Sequence, residues 1–445
     1  MGNSQSNAKI SEQELEDLKG PFSDAEFECL QAIVAEAQTD KLAFLARFSL
    51  GELAHCSDDV LANFGEAIYT SFAYIADDDT DTPAAPSTLS ISHVARAAAS
   101  CIRASSSSIL RALVTVFDAS HTQHLDKTLF HRLLVAVFLM ADDGRADVKD
   151  VRTYMPVAQA MVDSFETHAA HITPTTVAAW AGTHAPLLHT IFSSWMSRKC
   201  LNRHSKVSYF SPRLSHPSDI LCRGQVLALS TQSLQLQHTW DRLYTSTQDG
   251  LSFNRLSYHL LGYTGPTLLL ITATDGATFG AYGDTPWKEG SKFFGGPGCF
   301  LFRVAPTFMV CPSTGTGANY MYYNTKGIAL PRGLGFGGST SKFRLFLDDD
   351  LDNCVTSLKC TSYDAGSVSL KASFRIQTLE IWGCGGDESK QAQQGYRAET
   401  AELINRARKV DKAQFAGNSF DREMFLGKTF GHGTDAARIA DDEQH

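Results

Sequence analysis

Asp118, Ser120 and Thr122 stand at alternate positions, as the first oxygen donors of a calcium loop do, and Leu125 fills the apolar eighth position. Gln123, however, takes the place of the turn glycine, and Leu129 that of the bidentate glutamate. Without that carboxylate the loop lacks two oxygens and much of its charge. The sequence therefore predicts an EF-hand-shaped helix pair whose degenerate loop holds no metal. Asp77, Asp79 and Asp81 repeat the spacing but lack the glycine and glutamate and run into Pro83, which reads as a solvated loop. Histidines cluster at His121, His124 and His131, and again at His168 and His171. Neither cluster brings a clear third and fourth ligand, so surface or helix-terminal positions are expected.

Gly333-Leu-Gly-Phe-Gly-Gly338 fits the Gly-x-Gly-x-x-Gly pattern. A dinucleotide site needs that turn between a strand and a helix, so that the helix N-terminus faces the pyrophosphate. Here the next residues form a strand-like run ending in Asp348-Asp-Asp350, so the glycines are expected to permit tight backbone packing and turns. Gly427-Lys-Thr429 lacks the upstream glycine of a P-loop, and no Gly-x-Ser-x-Gly elbow occurs. Ser252, His259 and Asp275 have the residue types of a hydrolytic triad, but nothing in their spacing demands one. Cys299 and Cys311 fall in strand-like runs and read as small buried hydrophobes more than redox centres. No catalytic residue and no cofactor is expected.

The start of the chain is the one clear modification signal. Removal of Met1 exposes Gly2, and Ser6 completes the Met-Gly-x-x-x-Ser/Thr pattern for an N-myristoyl lipid on Gly2. One acyl chain gives only marginal, reversible anchoring, with a partition constant of about 10⁴ M⁻¹. The residues behind it are Lys9, Glu12, Glu14, Glu16 and Asp17, which an anionic leaflet repels, and no cysteine precedes Cys29. A second contact, to a membrane-bound protein, is therefore expected.

These groups have to be placed by two kinds of element. From Ser11 onward the pattern is helical, with capping-box pairs Ser11/Glu14 and Ser23/Glu26 and apolar residues Phe27, Leu30, Ile33, Val34 and Ala37 at helix spacing. Beyond Asp219 glycine punctuation takes over: 21 of the 33 glycines fall between Asp219 and Gly385 and only 6 precede them. Short apolar runs follow at 267–273, 299–305, 320–323 and 343–347, bounded by Gly, Pro, Asn or Asp, as in an antiparallel sandwich. After Gly386 the residues 388–415 favour helix. Ala401, Ile404, Ala407 and Val410 make a narrow apolar stripe beside Arg406 and Arg408. Two readings stand side by side: a helix packed back on its own domain, and a detachable arm that inserts into a partner.

Several motifs recur in the order found in the TLDc family. They are Trp240-Asp-Arg-Leu-Tyr-Thr-Ser246, Gly250-Leu-Ser-Phe253, Pro266-Thr-Leu-Leu-Leu-Ile271, Phe279-Gly-Ala-Tyr282, Pro286-Trp287, Gly298-Cys-Phe-Leu-Phe302, the glycine cluster, Phe346-Leu-Asp-Asp-Asp-Leu351 and Glu380-Ile-Trp-Gly383. The block resembles a TLDc domain over roughly a third of the chain. Asp249-Gly250 replaces a His-Gly pair common in the family, and Pro297-Gly298-Cys299 replaces a common acidic residue, so no activity tied to those positions is carried over.

The fold class expected is thus an α+β multidomain chain: an N-terminal all-helical EF-hand-like region, a TLDc β-sandwich with flanking helices, and a C-terminal helix. The divisions are a myristoylated flexible tail (1–10), the helical domain (11–203), a linker (204–218), the TLDc domain (219–386), the C-terminal helix (387–415) and a disordered tail (416–445). A net charge of −9 argues against nucleic acid as a partner. The ten cysteines form no Cys-x-x-Cys pair, no glycosylation sequon occurs, and the start is too polar for a signal peptide. A cytosolic chain with reduced thiols is expected.

The resemblance implies a non-enzymatic adaptor that binds the vacuolar-type proton ATPase through the TLDc surface and the C-terminal helix, with Ile404, Arg406, Ala407, Arg408 and Val410 as partner-binding residues. Likeness to a myristoylated, mTOR-associated branch of the family implies the cytoplasmic face of the lysosomal membrane, with a cytosolic pool, and mTOR signalling components as partners. Two alternatives remain: an oxidative-stress factor acting through TLDc cysteines, and a calcium-responsive membrane protein.

Overall fold

A computed structural model describes residues 11–50, 59–76, 88–118, 122–143, 147–165, 172–202, 209, 211–327 and 329–417. Gly2, the 77–83 loop, Ser120, His121, His168, His171 and 427–429 lie outside the described residues. The chain divides into two compact units, 1–261 with 265–386, and 262–264 with the chain from Asp387 onward.

The first half of the larger unit is helical: α1 (Glu12–Lys19), α2 (Asp24–Thr39), α3 (Lys41–Arg47), α4 (Asp59–Ala62), α5 (Phe64–Ala76), α6 (Ile91–Ile102), α7 (Ser106–Phe117), α8 (Lys127–Asp142), α9 (Val148–Val162), α10 (Pro174–His184), α11 (Leu188–Leu201) and α12 (Arg223–Ser230). Ser23 and Glu26 close a full capping box, each side chain accepting the other's backbone N–H. Ser11 makes only its own half, accepting from Glu14, whose carboxylate pairs with Arg96 at 3.5 Å. The apolar run 133–141 is buried on all sides within α8, which makes it a core helix. Among the described residues no helix is long and apolar enough to cross a membrane. The pairs α7–α8 and α9–α10 are joined by one antiparallel bridge, in which Leu125 and Ile172 exchange N–H···O bonds of 2.8 Å.

The strands are β1 (Asp241–Thr245), β2 (Thr267–Ala273), β3 (Thr278–Gly283), β4 (Gly290–Phe294), β5 (Phe300–Ala305), β6 (Met309–Pro312), β7 (Met321–Asn324), β8 (Gly333–Ser339), β9 (Lys342–Asp348), β10 (Cys354–Thr356), β11 (Ser373–Phe374) and β12 (Ile376–Gly383). They form two six-stranded antiparallel sheets, ordered β1-β12-β2-β3-β5-β6 and β11-β10-β9-β8-β7-β4. Short helices α13 (Ser246–Asp249) and α14 (Phe253–Leu260) fill the β1–β2 connection, and α15 (Gly386–Gly417) follows β12. The expected α+β architecture is therefore present.

Side-chain alternation decides how the layers stack. The two sheets meet where Phe279 of β3 packs edge-on against Phe374 of β11, with ring centroids 4.9 Å apart. The opposite face of the first sheet presents Leu268, Leu270, Phe300, Phe302, Val304 and Trp382, which belong to one continuous apolar cluster with α8–α12. Phe308 donates its N–H to Ala160 O at 3.0 Å, and Val310 donates to His184 Nδ1 at 3.3 Å, joining the same two layers by polar bonds. The result is three layers: helices, first sheet, second sheet. Residues 211–218, read from the sequence as part of a linker, are bonded in place. Trp240 N–H donates to Arg213 O at 2.8 Å, and Ser215 N–H donates to Trp240 O at 2.9 Å.

The glycine cluster is itself strand β8, so the turns expected there are absent and the tight packing is present. Its alternation puts Leu334 and Phe336 into the core and leaves the intervening glycines bare. Gly335 pairs with Tyr322 on one side and Phe346 on the other, and the Phe343 and Phe346 rings stack at 4.4 Å. A Cβ on Gly335 would stand 2.7 Å from Phe343 and 3.1 Å from Phe346. The missing side chain is the space the aromatic rings occupy. Gly335→Val should therefore cost about 1–3 kcal/mol through overpacking, read as a lower denaturant midpoint at unchanged slope.

Candidate functional site

The degenerate loop spends its oxygens on itself. Asp118 is buried; its Oδ1 accepts from Thr122 Oγ1 at 3.2 Å and its Oδ2 accepts the Gln123 N–H. Gln123 adopts the left-handed backbone (φ 55°) that a glycine would occupy more easily. Among the described residues no group of three His, Cys, Asp or Glu side chains is placed to hold a metal. His131 Nε2 lies 2.9 Å from Met155 O, a backbone contact.

The three residue types of a hydrolytic triad are engaged separately. Asp275 accepts the Ala277 N–H at 3.1 Å in the β2–β3 turn. His259 lies 3.6 Å from Asp249. Ser252 precedes α14 and takes its N–H to the Tyr244 hydroxyl at 3.4 Å. The buried thiols of the sandwich are equally ill-suited to nucleophilic work. Burial pushes Cys299 and Cys354 up to about 12, and raises Cys311 and Cys384 as well. Cys311 packs against the buried Arg344, whose Nη2 donates to the sulfur at 3.4 Å and to Gly366 O at 2.6 Å. That neighbour opposes the rise without reversing it.

In the smaller unit, α15 runs for 32 residues and contains every position of the expected partner-binding stripe. Leu403 and Ile404 are 64% and 47% exposed, so its second half is apolar as well as charged. Arg406 is joined to Glu402 at 2.6 Å, one turn away, which steadies the helix but offsets that cation. Arg408 and Lys409 are exposed, while the side chains of Ala407 and Val410 are outside the described set.

Sequence reasoning missed the polar junctions between helices and sandwich. Asp142, at the end of α8, accepts Arg223 Nε at 3.1 Å and the hydroxyls of Ser211 and Tyr154. Arg223 also donates to Pro212 O at 2.7 Å. One carboxylate thus fastens α8, α9, the 211–212 segment and α12 together. Burial pulls the Asp142 carboxyl upward, but the bonds from Arg223, Ser211 and Tyr154 outweigh it and hold the group below its ordinary value. A second buried carboxylate, Glu380 of β12, accepts from Ser218 Oγ at 2.6 Å, Asp219 N–H at 2.7 Å and Trp382 Nε1 at 2.9 Å. The Glu380-Ile-Trp signature is therefore a clasp on the 218–219 segment that leads into α12. The signal lay in a charged residue set inside an apolar strand, which demands partners.

Residues 214–385 match the profile of the TLDc domain. The chain carries a TLDc domain. Its boundaries enclose both sheets and the clasp at Glu380. MTOR-associated protein MEAK7 of Xenopus laevis is 36% identical over 153 residues, covering 34% of this chain and 33% of that relative. The protein of the same name from Homo sapiens is 30% identical over 164 residues, covering 36% of each chain. Oxidation resistance protein 1 of Bos taurus is 30% identical over 175 residues, covering 39% of this chain and 19% of the relative. The chain thus spans about a third of the length of the MEAK7 relatives it matches.

Two outcomes follow for the TLDc domain and its helical partner layer. Asp142→Asn leaves Arg223 without its counter-charge and should destabilise the fold by about 3 kcal/mol in denaturant titration. Because the folded carboxyl lies below its unfolded value of about 3.9, its contribution is present above that pH and lost as pH falls through the folded value; the Asn variant should show a shallower acid loss. In native-state alkylation, Cys299, Cys311, Cys354 and Cys384 should react far more slowly than the half-exposed Cys29, Cys222 and Cys360.

Proposed function

We propose that this chain is a non-enzymatic, membrane-tethered adaptor. In this reading it binds the vacuolar-type proton ATPase at the cytoplasmic face of the lysosomal membrane and acts in mTOR signalling. The observation that carries the reading is the TLDc domain at 214–385, shared with relatives named for mTOR association. The geometry supports an adaptor over a catalyst: the triad candidates are engaged apart, and the core thiols are buried and raised. The calcium alternative is disfavoured because Asp118 already satisfies both oxygens within its own loop. The redox alternative would have to act through the half-exposed Cys222 and Cys360, because Cys299, Cys311, Cys354 and Cys384 are buried.

The division of labour is as follows. The Gly2 lipid supplies a weak, reversible hold on the bilayer. The TLDc surface and the second half of α15 supply the protein contact, with Ile404, Ala407 and Val410 as apolar anchors and Arg406 and Arg408 as charged ones. Affinity purification of the intact chain from cells should recover proton-pump subunits. Their consistent absence rejects the proposal. Ile404→Asp with Arg408→Glu should lower that recovery roughly tenfold, the loss of one anchor and one charge contact. Gly2→Ala should move the membrane-associated fraction into the cytosol.

A further inference from the structure

A lone myristate needs help, and the residues next to it are acidic. The missing cations stand elsewhere, at the β10 end of the second sheet. Leu358 is 67% exposed, Leu370 49% and Val355 38%. Lys359 and Lys371 are chain neighbours of Leu358 and Leu370, and Lys342 precedes Phe343; all three lysines are exposed. Hydroxyl-to-carbonyl bonds bring the segments that carry all six to one place, the Thr356–Ser357 dipeptide. Ser357 Oγ donates to the Phe343 carbonyl, next to Lys342, at 2.9 Å and to Lys359 O at 3.5 Å. Thr356 Oγ1 donates to Lys371 O at 3.3 Å. Val355 and Leu358 flank the dipeptide in sequence, and Leu370 precedes Lys371. None of the three lysines makes an ion pair among the described residues. After Val355 come Lys359, Lys371 and Arg375 with the single carboxylate Asp364, while Asp348, Asp349, Asp350 and Asp352 precede Val355 in sequence.

We propose that this patch docks on an anionic lipid surface. Protein interfaces concentrate Tyr, Trp and Arg and are depleted of Lys. This patch has the reverse make-up, aliphatic tips interleaved with lysines. Membrane interfaces favour that combination, because the Leu side chains enter the acyl boundary while each Lys stem lies along apolar surface with its ammonium among the phosphates. Each lysine near an anionic leaflet strengthens partition by about fivefold. Together with the acyl chain, the patch gives two membrane contacts far apart in sequence, which fixes the orientation of the TLDc domain on the bilayer. The inference goes beyond the adaptor reading and stands without it.

The test uses the full chain carrying Gly2→Ala, so that no lipid contributes, in flotation with vesicles of phosphatidylcholine alone or mixed with phosphatidylserine. Binding should require phosphatidylserine and weaken with added salt. Lys342→Glu with Lys359→Glu and Lys371→Glu should lower it by roughly tenfold or more, as should Leu358→Asp with Leu370→Asp. All five positions are exposed, and an unchanged circular-dichroism melt confirms that the variants fold. Failure to bind phosphatidylserine vesicles, or binding that these substitutions leave intact, overturns the proposal. So does a result in which vesicles never bind but the same substitutions abolish recovery of proton-pump subunits, which would make the patch a protein interface. Vesicle binding without any pump recovery would sink the adaptor reading alone.

Discussion

A sheet that is apolar on both faces has to be covered twice, and most of this architecture follows from that requirement. Strand β2 reads Thr-Leu-Leu-Leu-Ile-Thr-Ala with no polar alternation. Its Leu269 and Ile271 face the second sheet, and its Leu268 and Leu270 enter the cluster shared with the helices. The helical half is therefore the third layer of the sandwich. The Asp142–Arg223 pair and the Glu380 clasp tie down the 211–219 segment that leads into α12, where backbone outside regular structure needs partners.

The same requirement governs the charged groups inside the protein. Its buried ionisable groups are consumed by structure: Asp142 by Arg223, Glu380 by Ser218 and Trp382, and Arg344 by carbonyls and the Cys311 sulfur. What the molecule offers to others lies on its exterior, in a long helix with exposed Leu403 and Ile404 and in the aliphatic tips near β10.

Much of the sandwich was legible in the sequence because strand signals are local. The runs at 267–273 and 343–347 emerge as β2 and β9 within a residue, since glycine and aspartate bracket them. The glycine cluster was half legible. The strand-like run after the glycines argued against a nucleotide turn, but only the cross-strand register reveals that rings from β7 and β9 fill the bare lane of β8. The three-layer stacking was hidden, because Phe308 meeting Ala160 and Val310 meeting His184 join residues more than a hundred positions apart. The lysine-leucine patch was invisible for a similar reason. Leu358 and Leu370 are isolated apolar residues in loop-like sequence, and only hydrogen bonds around Thr356 and Ser357 gather them.

The shared apolar layer also bears on how the chain comes apart. A backbone cut between Asn202 and Tyr209 would leave two pieces with no covalent link but many non-covalent ones, since Tyr209 is tied to Ser194 and the helices still roof the first sheet. Such halves would travel as a complementing pair until solvent wetted the surface between them.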